Sequence, residues 1–402
     1  MGEMEKIASS LCAETQDESL IEHWSSFVSH ICNGRKSFFD AVHNEVLYNE
    51  NIWSLAVESG AANETLNTLA ALDIAKLLEI AEINIKKLAS DIAEHLFKND
   101  LKSLGENVII EGNLLSVLPS ENLKNFSIDY FSAFIKERGA GVFAKGNMFS
   151  YSQDKEFIPA SHADKICIRD LNRYDDVRQI VIYNTQHFLC GNGNANNMLL
   201  YGERGCGKSA TVKAICNDFA PKGLRLIEVK KNQIFCLNEI VQKIKNRNLK
   251  FILFIDDLSF ESGTDDFNSL KAYLDGGIEQ KPHNIIVYAT SNRRHLVKES
   301  ASNNSTSNTD VRAFDTVQEQ LSLADRFGVT VIFSAPSQEE YLSIAVFLAK
   351  SKGVLAHGAS EDVLALFKSN ALLWEKWFNG RSPRTAAQFV EWAGGGGAFP
   401  WE

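Results

Sequence analysis

The chain has no run of 18 apolar residues, so none of its segments is suited to cross a membrane as a helix. It also has no C-x-x-C pair. Its seven cysteines (Cys12, Cys32, Cys167, Cys190, Cys206, Cys216 and Cys236) are odd in number and scattered. That pattern excludes a zinc-type Cys/His cluster and suits a reducing cytosol better than a disulfide framework. An excess of basic charge is missing as well, with 41 Lys+Arg against 51 Asp+Glu and a net charge of −10. Such a balance argues against a surface that coats nucleic acid, and leaves room only for a local basic face. The start, Met1-Gly2-Glu3-Met4-Glu5-Lys6, lacks the apolar core of a signal peptide, and Lys6 breaks the myristoylation pattern. The expected location is the cytoplasm, with no membrane partner.

What is there is ordinary in bulk: 45% hydrophobic and 23% charged residues over 402 positions. That length exceeds a single typical core and predicts more than one domain. Residues 1–125 read as a helical N-terminal domain. Between Leu66 and Phe97 an apolar stripe (Leu66, Leu69, Leu72, Ile74, Leu77, Leu78, Ile80, Ile83, Ile85) is read as the core of a helical bundle rather than a partner surface. Residues 126–170 form a connector punctuated by Phe126, Tyr130, Phe131, Phe134, Phe143, Phe149 and Tyr151, rings that suit docking onto the next domain better than base stacking.

Residues 171–336 alternate between short apolar strands and helices. The strands are predicted at Met198–Tyr201, Leu224–Val229, Phe251–Ile255, Ile285–Ala289 and Val329–Phe333. Amphipathic helices fall around Asn238–Lys245 and after the cap Thr264-Asp265-Asp266. The expected fold class is α/β, a five-stranded parallel sheet with helices on both faces. Residues 337–392 read as a small helical lid, and residues 393–402, with Gly394–Gly397, as a flexible tail.

The chemistry centres on Gly202-Glu203-Arg204-Gly205-Cys206-Gly207-Lys208-Ser209, a complete G-x-x-x-x-G-K-S phosphate-binding loop between a strand and a helix that continues from Ala210. Its glycines let the backbone wrap a phosphate chain. Lys208 supplies a point charge, Ser209 a hydroxyl for Mg²⁺, and the helix its positive end. Cys206 inside the loop is read as a tolerated small side chain rather than a reactive thiol.

Downstream, Phe251-Ile252-Leu253-Phe254-Ile255-Asp256-Asp257 has the form of a Walker B element: Asp256 opposite Ser209 for Mg²⁺, Asp257 to orient or deprotonate water. The strand end Thr290-Ser291-Asn292 offers a side chain that positions water, either Asn292 or Thr290. Arg293 and Arg294 are read as solvated charge and His295 as structural. Arg326, in Asp325-Arg326-Phe327-Gly328, is placed to reach a neighbouring subunit's nucleotide, with a local ion pair as its alternative reading. Arg384, opening a lid helix, is placed to fold back onto the γ-phosphate, with Arg381 behind it.

This set in this order resembles an AAA+ ATPase. More narrowly, Asp256-Asp257-Leu258-Ser259-Phe260-Glu261, Tyr288-Ala289-Thr290-Ser291-Asn292-Arg293-Arg294-His295 and Leu321-Ser322-Leu323-Ala324-Asp325-Arg326-Phe327-Gly328 look like the bacterial ATP-binding family catalogued as domain of unknown function 815. The resemblance runs from about Tyr130 to Val390. It implies an AAA+ fold, ATP and Mg²⁺ binding and ATP hydrolysis, with Gly202 to Ser209 as the Walker A loop, Asp256 and Asp257 as Walker B, Asn292 as sensor 1, Arg326 as arginine finger and Arg384 as sensor 2. Two departures stand out. Asp257 takes a place where most such enzymes carry Glu, and Leu171-Asn172-Arg173-Tyr174 replaces a glycine-containing turn.

Two functions follow as expectations. One is an ATP-hydrolysing machine that forms homo-oligomers and acts on an unknown macromolecular client. The other is an ATP-binding switch or scaffold with little turnover, with a nucleic-acid association left open by Lys230, Lys231, Lys243, Lys245, Arg247, Arg293 and Arg294, which read more readily as dispersed solvated charge than as one basic edge. Protein threading is disfavoured, because no Gly follows Phe235.

Overall fold

The computed structural model describes residues 43–44, 46–81, 127–191, 195–258, 265–275, 282–292, 325–378, 380–397 and 399, and for 80, 81 and 265–268 the backbone alone. The chain divides into two compact units, Met1–Lys145 and Gly146–Glu402. Arg293, Arg294, His295 and the stripe beyond Ala81 lie outside the described residues, as does the stretch 299–310, whose Ser- and Asn-rich sequence reads as an exposed connecting loop.

In the first unit, helices α1 (Ile52–Ser59), α2 (Glu64–Ala81) and α3 (Ile128–Arg138) surround a small core of Trp53, Val57, Ile74, Phe131 and Ile135. Asn51 caps α1 by accepting the Ser54 amide, and Gly60 ends it in the left-handed conformation. Of the predicted stripe, Ile74 is buried while Leu69 and Leu72 are each 56% exposed.

In the second unit, strands β1 (Met148–Tyr151), β2 (Phe157–Pro159), β3 (Met198–Gly202), β4 (Leu224–Glu228), β5 (Lys250–Ile255), β6 (Ile285–Asn292) and β7 (Val329–Phe333) form one sheet in the order β2-β1-β4-β5-β6-β3-β7. Only β1–β2 is antiparallel. The sheet is therefore α/β and mostly parallel, as expected, but among the described residues it has seven strands rather than five. The two additions come from the stretch read as a connector. At four and three residues they are too short to show a period, and Pro159 is tolerated because β2 is an edge. Phe149 and Tyr151 are buried there. Central β5 reads as a continuous apolar run because Phe251 to Ile255 are fully buried on both faces.

Helices α4 (Asp175–Cys190), α5 (Lys208–Phe219), α6 (Leu237–Ile244) and α7 (Asp265–Asp275) alternate with the strands. The C-terminal helical region, the stretch read as a lid, comprises α8 (Gln338–Ser351), α9 (Glu361–Trp377) and α10 (Pro383–Gly394), which pack around Tyr341, Ile344, Ala371, Trp374, Phe389 and Val390. Helix α10 runs through Gly394, and Phe399 lies against Phe389, ring centroids 5.9 Å apart. Among the described residues no helix is long and apolar enough to cross a membrane. The phosphate loop stands at the carboxyl end of β3, inside this mostly parallel sheet, and the three C-terminal helices follow β7.

Candidate nucleotide site

The loop leaves β3 under tight steric constraint. At Gly202, with φ +144°, a Cβ would lie 1.9 Å from the Phe333 carbonyl oxygen of neighbouring β7, so only glycine permits the strands to run this close. The Glu203 amide donates to that same carbonyl at 3.2 Å. Gly207 then turns left-handed (φ +86°) and starts α5 at Lys208.

Lys208 is buried, and its ammonium uses three donors within the loop and its surroundings: the Gly202 carbonyl at 2.9 Å, the Glu203 carbonyl at 2.7 Å and Asn292 Oδ1 at 3.1 Å. Burial holds its pKa below the usual lysine range.

Ser209, Asp256 and Thr290 meet at one oxygen. Asp256 Oδ1 accepts from Ser209 Oγ at 2.6 Å, Thr290 Oγ1 at 2.5 Å and the Asp257 amide at 3.1 Å. Thr290 Oγ1 also accepts the Asp257 amide at 2.8 Å. Asp257 sits in the left-handed region (φ +52°), a costly conformation for a side chain other than glycine. Asn292 joins two parts of the site: its oxygen takes Lys208 and its amide donates to Asp257 Oδ1. Lys231 Nζ lies 3.9 Å from the other Asp257 oxygen. Thus Asn292 and Thr290 both sit at the site, in different places.

The hydroxyl of Ser209 and the carboxylate of Asp256 form a hard-oxygen pair, the donor type that suits Mg²⁺. Among the described residues no group of three or more His, Cys, Asp or Glu gathers as an all-protein metal cage. Two protein oxygens match an ion that keeps waters and substrate phosphates as its other ligands.

Arg204, Gly205, Cys206, Gly207, Lys208, Ser209 and Ala210 line a cavity of about 610 Å³ together with Asp256, Asp257, Thr290, Asn292 and Arg384. Leu171, Asn172, Tyr174 and Arg178 from the core and Ile344 and Leu348 from the C-terminal helices also line it. The glycine-free turn forms nevertheless: Arg173 and Tyr174 are both left-handed, with φ +68° and +62°. Arg178 secures it by donating to the Leu171 carbonyl at 3.0 Å, and Tyr174 by donating to the Ser334 carbonyl at 2.7 Å. Neither residue belongs to a motif, so nothing local in the sequence marks them.

Cys206 is buried, and burial pushes its thiol pKa up, against the lowering that a helix N-terminus favours. That fits a packed small side chain. Arg384 is exposed at the cavity, and no side-chain bond to it is seen among the described residues. Arg381 pairs with Glu375 at 2.7 Å. Of the predicted site residues, Gly202, Glu203 and Arg326 do not line this cavity: the first two accept from Lys208 through their carbonyls, and Arg326 forms an ion pair with Asp275 at the end of α7.

Comparison with known proteins places the chain in a family. No curated protein matches its sequence. Among solved structures, two variants of RuvB from Thermotoga maritima are similar at 13% and 14% identity, with TM-scores of 0.35 and 0.36. Each match covers 57% of this chain and 64% of the RuvB chain. The family model described as Protein of unknown function (DUF815) matches residues 144–396, more than half of the chain, and the protein belongs to that family.

Proposed function

We propose that this protein is a Mg²⁺-dependent AAA+ ATPase that assembles with copies of itself and moves its lid as nucleotide turns over. The observation that carries this reading is the convergence of Ser209, Thr290 and the Asp257 amide on Asp256 Oδ1, beside a buried Lys208 in a cavity of about 610 Å³. In this reading Lys208 exchanges the Gly202 and Glu203 carbonyls for the β/γ-phosphates. Ser209 and Asp256 would hold Mg²⁺, which would supply charge neutralisation at the phosphates. Asp257, steadied by Asn292, accepts a proton from water while the water oxygen bonds to the γ-phosphorus. The bridging oxygen leaves with ADP, and inorganic phosphate is released. Arg384 approaches from the lid, and Arg326 leaves Asp275 to reach the nucleotide of a neighbouring copy.

A second reading, an ATP-binding switch with little turnover, draws on Asp257. Its short side chain is already engaged by Asn292 and lies near Lys231. One experiment separates the two: ATPase rate per subunit against protein concentration, for wild type, Arg326→Ala and Asp257→Asn. The machine predicts a rate that rises with concentration and falls by about 10³ or more when Arg326 is removed. Turnover that is absent at every concentration, alongside intact ATP binding, favours the switch.

A further inference from the structure

The start of helix α10 is completed by the phosphate loop. A helix leaves its first amides without partners inside itself. In α10, Ser382 Oγ accepts the Thr385 amide at 3.0 Å, and Pro383 has no amide to satisfy. The Arg384 amide donates instead to the Gly205 carbonyl, 3.2 Å away, so a loop carbonyl finishes the cap of a lid helix. The approach depends on glycine. A Cβ at Gly205 would lie 2.7 Å from Ser382 Oγ and 3.0 Å from Arg384 Cβ, and φ there is +76°.

That carbonyl shares one rigid plane with the Cys206 amide. The peptide is trans, so the C=O and the N–H point in opposite directions and turn together. The Cys206 amide is one of those with which the loop cradles phosphate. Turning it toward or away from an anion re-aims the Gly205 oxygen relative to the Arg384 amide, and an anion held on one side fixes the acceptor on the other.

We infer that the Gly205–Cys206 peptide unit is the element that couples bound nucleotide to the lid, through the Arg384 amide rather than the Arg384 guanidinium. The coupling rests on the ATP-site reading above and adds a backbone route to it. Gly205 is accordingly a positioning residue for the lid as well as a turn in the loop, and ATP bound at the loop tightens the start of α10.

The test is hydrogen exchange of residues 385–390 with and without Mg²⁺ and a non-hydrolysable ATP analogue, with calorimetry on the same samples. Wild type is expected to show exchange in the first turns of α10 slowed about five-fold by nucleotide, the scale of one net hydrogen bond. Arg384→Ala keeps the amide and is expected to keep that slowing while binding more weakly. Arg384→Pro loses both amide and guanidinium, and is expected to bind like Arg384→Ala yet show no slowing; its melting curve checks that it folds. The inference is overturned if wild type binds nucleotide with α10 exchange unchanged, if Arg384→Ala abolishes the slowing, or if folded Arg384→Pro retains it. Failure of calorimetry to detect binding in wild type instead removes the ATP-site reading itself.

Discussion

Replacing Asp256 with asparagine changes one charge and almost no volume, at the point where three donors converge. Ser209 Oγ, Thr290 Oγ1 and the Asp257 amide all reach Oδ1, at 2.6, 2.5 and 3.1 Å. An asparagine oxygen can accept the same three, but as neutral bonds. Bonds to a charged acceptor are worth about 1 kcal/mol more than neutral ones. Because Ser209 and Asp256 are only half buried, and because coupled bonds do not add, the expected loss is about 1–2 kcal/mol. Thermal denaturation should show it as a drop of about 2–4 °C for each kcal/mol. The functional loss is expected to be far larger, because an amide is a poor ligand for a hard divalent ion. Calorimetric titration with ATP in Mg²⁺ and then in EDTA should show tighter binding with Mg²⁺ in wild type and no such gain in Asp256→Asn. An Asp256→Asn protein that folds, keeps the full Mg²⁺-dependent gain in affinity and hydrolyses ATP at the wild-type rate would refute the assignment of Asp256 to the metal.

Two further outcomes probe the scaffold. Tyr288 is fully buried on β6; its hydroxyl accepts from Asn184 at 3.1 Å and pairs with Thr185 at 2.7 Å. Tyr288→Phe leaves both partners short of a bond and should cost about 1–3 kcal/mol in denaturant unfolding, with nucleotide affinity unchanged, since Tyr288 does not line the cavity. Cysteine chemistry should divide by burial: among the described cysteines, iodoacetamide labelling read by mass spectrometry is expected to modify exposed Cys190 first and to spare Cys206 and Cys216. Burial pushes the Cys216 thiol up to about 12, so the folded chain holds that proton more tightly than the unfolded chain. Its contribution to stability is therefore present at neutral pH and lost as pH rises from the ordinary thiol pKa, about 8.5, toward 12. Prompt native labelling of Cys216 at pH 8 would contradict the packing described.

How much of the site was legible depended on whether its parts are contiguous. The loop from Gly202 to Ser209 was readable because its glycines, lysine and serine act through one short piece of backbone whose geometry the residue types dictate. Asp256 and Asp257 were readable because five apolar residues before them demand a buried strand, and the first polar residues after such a strand emerge at its carboxyl end. β1 and β2 were missed because their apolar residues number too few to make a pattern. The left-handed pair Arg173 and Tyr174 was illegible for a different reason: glycine usually marks such a turn, and here Arg178 and the Ser334 carbonyl hold it instead.

The sequence by itself determined a mostly parallel α/β sheet and a phosphate loop joined to acidic and polar strand ends, because strand burial and loop conformation are set by near neighbours. Only the tertiary structure decided that Arg326 rests on Asp275, that Asn292 spans Lys208 and Asp257, and that Gly205 faces the first turn of α10. These pairings join residues far apart in the chain. A side chain or carbonyl finds such a partner only after the sheet order and the lid packing have brought the two segments within hydrogen-bonding distance.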